Sequence, residues 1–358
     1  MSNRLTQAVL SIPVQRADLT RCDDRAVRLQ LARAPFYDAA LLARWESAWA
    51  TLWQRPAVAF AEPAWAVLAL QRVLGWQVGD RIGVDPLLDP AWIESLASAW
   101  LYPAWRDVEP CSGCGQGPFL ADGSVVATLR AGFCQHPYGL PCGVPPAELP
   151  CWLEEISALL RPMPGCGWGT VQLLYLSGNR MVAAGGSCLL LTQDEALERA
   201  IRALHLPPPA PLACALGLSQ LQSLEGRLAR RQELAERYLR QLHGQGLFQL
   251  PACCGGGRLW EMFLLTMASS EAFCALQHFL QKSHIHAASP LWFGSTHDRS
   301  LVLPGLQQFR QHTLALPLYA ALGDTDQKRL INRVNRWVGY RRRSHPFSIS
   351  GSRHHESL

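Results

Sequence analysis

The chain has 358 residues, 49% hydrophobic and 17% charged, which excludes a fibrous or wholly disordered protein and suits a large domain with a smaller companion. Net charge is +5, and the last nineteen residues, with Arg341, Arg342, Arg343 and Arg353 against Glu356, hold +3 of it. The nearly neutral body that remains offers no basic face for nucleic acid.

The N-terminus MSNRLTQAVLSIP lacks the apolar run of a signal peptide. The most apolar window, Ala57 to Leu70, is broken by Glu62 and Pro63 and is too short to span a bilayer. A cytoplasmic protein without a membrane span is therefore expected. Twelve cysteines without a secretory signal suggest a reducing compartment and free thiols.

Along the chain, Trp45, Trp49 and Trp53 fall on one face of a helix over 38–53. A helix is expected over 64–74 and a strand over 81–84. Pro90 opens a helix running to about Leu101, and a strand covers 104–108. Gly, Pro and Cys mark a loop at 109–118, and further strands fit 125–134, 171–176 and 187–191. Thr192 and Glu195 have capping-box spacing before a helix over 193–205, which Pro207-Pro208-Pro209 stops. One long helix is expected over 212–243, a linker or hairpin turn at Gly255-Gly256-Gly257, a strand over 259–267, and helices near 270–281 and 325–338. The Ser-, His- and Arg-rich end reads as disordered. Alternating strands and helices over the first 240 residues imply an α/β layered domain, and the following hundred an α+β unit.

Cys111-x2-Cys114, followed by Cys134 and His136, offers half of a zinc knuckle, but the second half is badly spaced. Cys111 and Cys114 stand as weak metal candidates beside two other readings, a redox pair and plain loop cysteines; no metal site is assigned. Cys253-Cys254, His284-x-His286 and His354-His355 read as incidental. No Walker loop, GxSxG elbow, HExxH or GxGxxG occurs. Of 33 basic residues only Lys282 and Lys328 are lysines.

Six stretches in order carry a family likeness: Gly79 to Pro110, HPYG at 136–139, LEE at 153–155, Ser187 to Ile201, Gly217 to Leu242, and Leu314 to Trp337. Together they resemble the pyridoxal-phosphate (PLP)-dependent nucleotide-sugar aminotransferases of the DegT/StrS type. The resemblance implies the type I PLP-dependent aminotransferase fold: a large α/β domain with a mixed seven-stranded sheet flanked by helices, and a small α+β C-terminal domain. It implies a large domain over 1–245, a small one over 246–340 and a basic tail over 341–358. It also implies a dimer, either a homodimer or a heterodimer with an active paralogue, and a nucleotide-sugar ligand.

The chemistry departs from that pattern. PLP enzymes need a lysine amine for the internal aldimine. The matching segment here is Tyr175 to Thr192, and the lysine position is Arg180, which stays protonated. The aspartate that pairs with the pyridinium nitrogen is matched by Glu155, and the Gln or His three residues later by Ala158. The serine that contacts the phosphate is matched by Tyr175, and the stacking aromatic by Asp89. The SGT phosphate turn is matched by Ala61-Glu62-Pro63, which adds a carboxylate and removes an N–H. The Asn-Tyr-Arg segment that reaches the partner subunit is matched by Leu206-Pro207-Pro208. Tyr175, Glu62 and Trp65 are expected to fill part of the pocket. The expectation is a degenerate, sugar-aminotransferase-like binding or scaffold subunit in amino-sugar or polysaccharide biosynthesis, with no catalytic residue intact and no cofactor. The alternative is an active PLP-dependent aminotransferase on a nucleotide-linked keto sugar.

Overall fold

The computed structural model describes residues 11–33, 37–121, 124–126, 128–143, 149–178, 180–251, 257–290 and 302–344. In chain order the first elements are α1 (Arg21–Arg33), α2 (Ala39–Trp53), β1 (Ala57–Phe60), α3 (Pro63–Val73), β2 (Arg81–Val84), α4 (Pro90–Ser98) and β3 (Tyr102–Val108). Then come β4 (Gly115–Ala121), β5 (Ser124–Val125), β6 (Ala131–Gln135), β7 (Trp152–Glu155), β8 (Val171–Leu176), β9 (Ser187–Leu191) and α5 (Glu195–Arg202). The rest are α6 (Pro211–Gln222), α7 (Leu224–Gln241), β10 (Phe248–Gln249), β11 (Phe263–Met267), α8 (Ser270–Gln281), α9 (Pro304–His312), β12 (Thr313–Leu316) and α10 (Asp324–Ser344).

The large sheet has the order β1-β9-β8-β7-β6-β2-β3-β4-β5. Neighbours from β3 through β2, β6 and β7 to β8 are parallel, and the flanking pairs are antiparallel. The mixed seven-stranded body is thus present, and the β4–β5 hairpin extends it to nine strands. That hairpin begins inside the stretch expected to be loop, and β5 and β6 divide the single strand expected over 125–134. A three-stranded antiparallel sheet, β10-β11-β12, forms the second core with α7, α8 and α10.

Apolar periodicity explains the buried faces. Trp45, Trp49 and Trp53 of α2 are buried together, with Trp45 and Trp49 edge to face at 5.7 Å. Gly217 lets α6 approach them, because a Cβ there would lie 2.4 Å from the Trp45 ring. The single helix expected over 212–243 is two helices broken at Ser223 (φ −103°, ψ 4°). There the Ser223 N–H bonds the Gln220 carbonyl, and the Gln220 side chain ties the Ala183 backbone at both its N–H (3.0 Å) and its carbonyl (2.7 Å).

The expected capping box is replaced. Asp194 is the N-cap of α5, accepting from the Ala196 and Leu197 N–H groups, while the Thr192 hydroxyl accepts from Asp194 N–H. Helix α4 ends earlier than expected in a Schellman-type turn: Leu101 N–H reaches the Leu96 carbonyl and Trp100 takes φ +56°. At the other end of the chain, α10 runs through Arg341–Arg343, which sit in its last turn and favour its dipole, so the expected tail does not begin at 341. Cys253-Cys254, Gly255-Gly256 and His354-His355 lie outside the described residues. Among the described residues no helix is long and apolar enough to cross a membrane.

Candidate functional site

Open α/β sheets gather ligands at the carboxyl ends of their parallel strands. Here those ends carry a buried ion cluster. Asp89 follows β2 and caps α4, its Oδ1 accepting from Ala91 N–H at 3.1 Å. Glu155 ends β7, and Arg180 sits in the turn between β8 and β9. Glu261 comes from the segment entering β11 of the small sheet.

The Arg180 guanidinium donates to Glu261 Oε1 at 2.9 Å and to Asp89 Oδ2 at 3.2 Å. All three side chains are largely or wholly buried. Burial opposes the charge on Arg180, but Glu261, Glu155 and Asp89 more than offset it and hold the group protonated. Glu155 is buried and its pKa is raised, first by burial and further by Asp89 and Glu261, against the pull of Arg180. Its Oε1 accepts a short bond from the Ser157 hydroxyl, which in turn accepts from Tyr175 N–H at 2.6 Å. One cation among three carboxylates leaves no positive charge to receive a phosphate.

Glu261 reaches this place because of the HPYG turn. Tyr138 and Gly139 both have positive φ, and the Gly139 carbonyl accepts from Leu259 N–H at 2.9 Å. A Cβ on Gly139 would lie 1.6 Å from the Leu259 carbonyl oxygen, so this approach requires glycine. Tyr138 stacks on Phe309 at 6.1 Å and donates to the Pro290 carbonyl. Glu261 was not singled out by sequence reasoning.

Of the remaining sequence-predicted positions, Tyr175 lies within electrostatic reach of Asp89 and Arg180. Tyr175 is half-buried with its ring edge on Trp92 at 6.2 Å, and burial, then Asp89, raises its pKa. Ala158 is buried in the turn after β7. Glu62 is exposed at the N-terminus of α3 and makes no side-chain cap bond. Pro63 has no N–H, Ala61 N–H is used by the Pro207 carbonyl at 2.9 Å, and Trp65 N–H by the Glu62 carbonyl. The segment Leu206-Pro207 therefore folds onto its own chain's turn and takes one of the donors a phosphate would need. Lys282, at the end of α8, and Lys328, on α10, are exposed and outside the cluster. Among the described residues the cluster holds an arginine and no lysine amine, and the turn has lost Pro63 and Ala61 as free donors.

On the opposite face of β7, Glu154 forms a different network. It accepts from His136 Nε2 at 2.9 Å, Gly167 N–H at 2.6 Å, Gly169 N–H at 2.8 Å and Gln172 Nε2 at 3.2 Å. His136 Nδ1 accepts from Cys142 N–H at 2.9 Å, which places the ring proton on Nε2. Burial raises the Glu154 pKa, but the His136 and backbone bonds outweigh it and the net shift is downward.

Cys114 is bonded to Cys142 in a disulfide, so not all thiols are free; loop closure across 28 residues brings together two cysteines that sequence spacing does not connect. Cys111 is free and exposed. Cys134 is buried, and the Arg106 guanidinium contacts its sulfur at 3.0 Å while pairing with Asp85. Among the described residues no group of three or more His, Cys, Asp or Glu side chains is placed to hold a metal ion.

Residues 210–335 match the sequence profile described as the DegT/DnrJ/EryC1/StrS aminotransferase family. The resemblance to that family holds. The chain is similar in structure to the aminotransferase TlmJ from Streptoalloteichus hindustanus, with TM-score 0.79 and 20% identity over 92% of this chain and 100% of that one. It is similar to Helicobacter pylori PseC, an aminotransferase involved in pseudoaminic acid biosynthesis, with TM-score 0.79 and 14% identity over 92% and 100% of the two chains. It is also similar to NtdA from Bacillus subtilis with bound cofactor PMP, with TM-score 0.79 and 15% identity over 95% and 87%. The type I aminotransferase fold thus covers nearly the whole chain. On this fold the structure joins Arg180 to Asp89 and Glu261 at the strand ends.

Proposed function

We propose that the chain is a degenerate sugar-aminotransferase-like protein without aldimine chemistry, a binding or scaffold subunit of amino-sugar or polysaccharide biosynthesis in the cytoplasm. It pairs with itself or with an active paralogue, as isologous dimers of enzymes commonly do. The observation that carries the reading is the Arg180 clasp. An arginine that stays protonated occupies the lysine position, and Glu261 and Asp89 bind it. The donor-poor turn at Ala61–Pro63 supports the same reading. Arg180 is engaged with carboxylates, so a nucleotide sugar would have to be held by other groups.

The test is to incubate the protein with PLP, record the visible spectrum, reduce with borohydride and map modified peptides. The expected outcome is no aldimine band and no stoichiometric pyridoxyl lysine. A band with the label trapped on Lys282 or Lys328 would overturn the proposal in favour of an active aminotransferase. Sedimentation of the purified chain, alone and mixed with an active paralogue, tests the pairing.

A further inference from the structure

The β3–β4 connection carries two cysteines, Cys111 and Cys114, and the second is tied to Cys142. Cys114 and Cys142 are bonded, with Cα atoms 6.1 Å apart. Cys111 is free, exposed and three residues from Cys114 in the same turn. That turn is closed by Gly113 N–H on the Glu109 carbonyl and Glu109 N–H on the Cys114 carbonyl, both at 2.8 Å. The Glu109 carboxylate also accepts from the Cys111 N–H at 3.0 Å and from the Ser112 N–H. The turn therefore carries a free cysteine and one half of an existing disulfide within one hydrogen-bonded loop, at a Cys-x-x-Cys spacing that a single bond can close.

We propose that Cys111, Cys114 and Cys142 form an intramolecular thiol–disulfide exchange site with two pairings. The Cys111 thiol gives its proton to solvent, and the thiolate attacks Cys114 Sγ. A Cys111–Cys114 bond forms, the Cys114–Cys142 bond breaks, and Cys142 leaves as a thiolate that takes a proton from solvent. The number of disulfides is unchanged, so the step needs no oxidant or reductant.

The two pairings differ in what they hold. Cys142 belongs to the Glu154 network: its N–H is bound by His136 Nδ1 at 2.9 Å and its carbonyl by the Trp168 indole at 3.2 Å. Cys114 belongs to the hairpin tip, where Gly113 packs beneath Leu87 and Phe309. The Cys114–Cys142 bond fastens the tip to the core network, whereas the Cys111–Cys114 bond is local and frees the tip from it. Burial and the neighbouring Glu109 raise the pKa of Cys111, so the thiol is a slow attacker and exchange belongs to the range of minutes to hours.

The full-length protein, purified without thiols, is incubated in mildly alkaline buffer. Samples are quenched with acid, their free thiols alkylated, and the protein digested without reduction. Trypsin cuts after Arg106 and Arg130, so Cys111 and Cys114 share peptide 107–130. The expected result is that this peptide, first linked to the Cys142 peptide, converts with time to one carrying its own internal disulfide, while Cys142 becomes alkylated to the same extent. Cys111→Ser is expected to keep the Cys114–Cys142 link unchanged over the same period. Cys142→Ala, incubated with oxidised glutathione as the two-electron oxidant, is expected to close the internal Cys111–Cys114 disulfide with release of two glutathione thiols, which keeps the test decisive whatever the variant's stability. Persistent alkylation of Cys111 in the wild-type chain, or two alkylated thiols in peptide 107–130 of Cys142→Ala, overturns the proposal, as does a wild-type chain with no disulfide.

Discussion

Glu154 and Glu155 are neighbours on one strand, both buried, and they face opposite sides of the sheet. Glu154 collects two backbone N–H groups, an imidazole N–H and a side-chain amide, and its pKa is lowered. Glu155 has Ser157 as its hydrogen-bonding partner among the interactions described, shares its surroundings with two more carboxylates, and its pKa is raised. Both are shielded from solvent and burial raises the pKa of each, so donors and neighbouring charge set the opposite signs of the net shifts. One side of β7 is a strut, a carboxylate saturated with donors; the other is a charge cluster that depends on Arg180.

The comparison is broken most sharply at the strut. Glu154→Gln leaves the Gly167 and Gly169 N–H groups facing a neutral amide and is expected to cost about 3–5 kcal/mol in urea unfolding. A loss below about 1 kcal/mol would show that the network is replaceable by water. Below the ordinary glutamate pKa of 4.5, wild-type stability from this group should fall as pH drops through its lowered folded-state value, and the variant should lack that slope.

Next in size is the disulfide anchored on the same network. Cys142→Ser is expected to lower the stability of the oxidised protein by about 3–4 kcal/mol, from the entropy of a loop of this length. The same substitution in reduced samples should have little effect, and unfolding with and without reductant checks it.

At the cluster the sign reverses. Glu155→Gln removes a carboxylate whose raised pKa favours its protonated form in the folded state, a contribution present at low pH and lost as pH rises above 4.5 through the folded value. Stability at neutral pH is expected to hold or to rise by up to about 1 kcal/mol, with a flatter profile above that point. A large loss would place Glu155 with Glu154 as a strut. The smallest effect is expected away from both. Trp100 holds a left-handed φ of +56° and is 64% exposed, so Trp100→Gly should stabilise by about 0.5–1 kcal/mol in the same assay.

Much of the fold was legible in the sequence because its signals are local. The Trp45-Trp49-Trp53 stripe, the strands at 81–84, 171–176 and 187–191, and the helix at 270–281 lie where periodicity puts them. Helix α1 was missed because its sequence, RCDDRAVRLQLAR, has few apolar residues to mark a face. The break at Ser223 was missed because no Gly or Pro announces it; the Gln220 bonds to Ala183 come from 37 residues away. Three of the cluster's four residues were legible in the sequence. Arg180, Asp89 and Glu155 stand at motif positions, whereas Glu261 meets Arg180 across 81 residues with no motif of its own. Glu154 sits inside the LEE stretch, yet nothing in its sequence tells that its side of the strand is lined with N–H groups.

The grip on Arg180 also works as a ratchet. Arg180→Lys alone would supply an amine, but Asp89, Glu155 and Glu261 would surround it and keep it charged, and a charged amine cannot add to an aldehyde. Removing the carboxylates first would leave Arg180 buried without its partners. Each single step that would replace Arg180 with a reactive lysine thus passes through a worse-paired interior, so several changes would have to be made together.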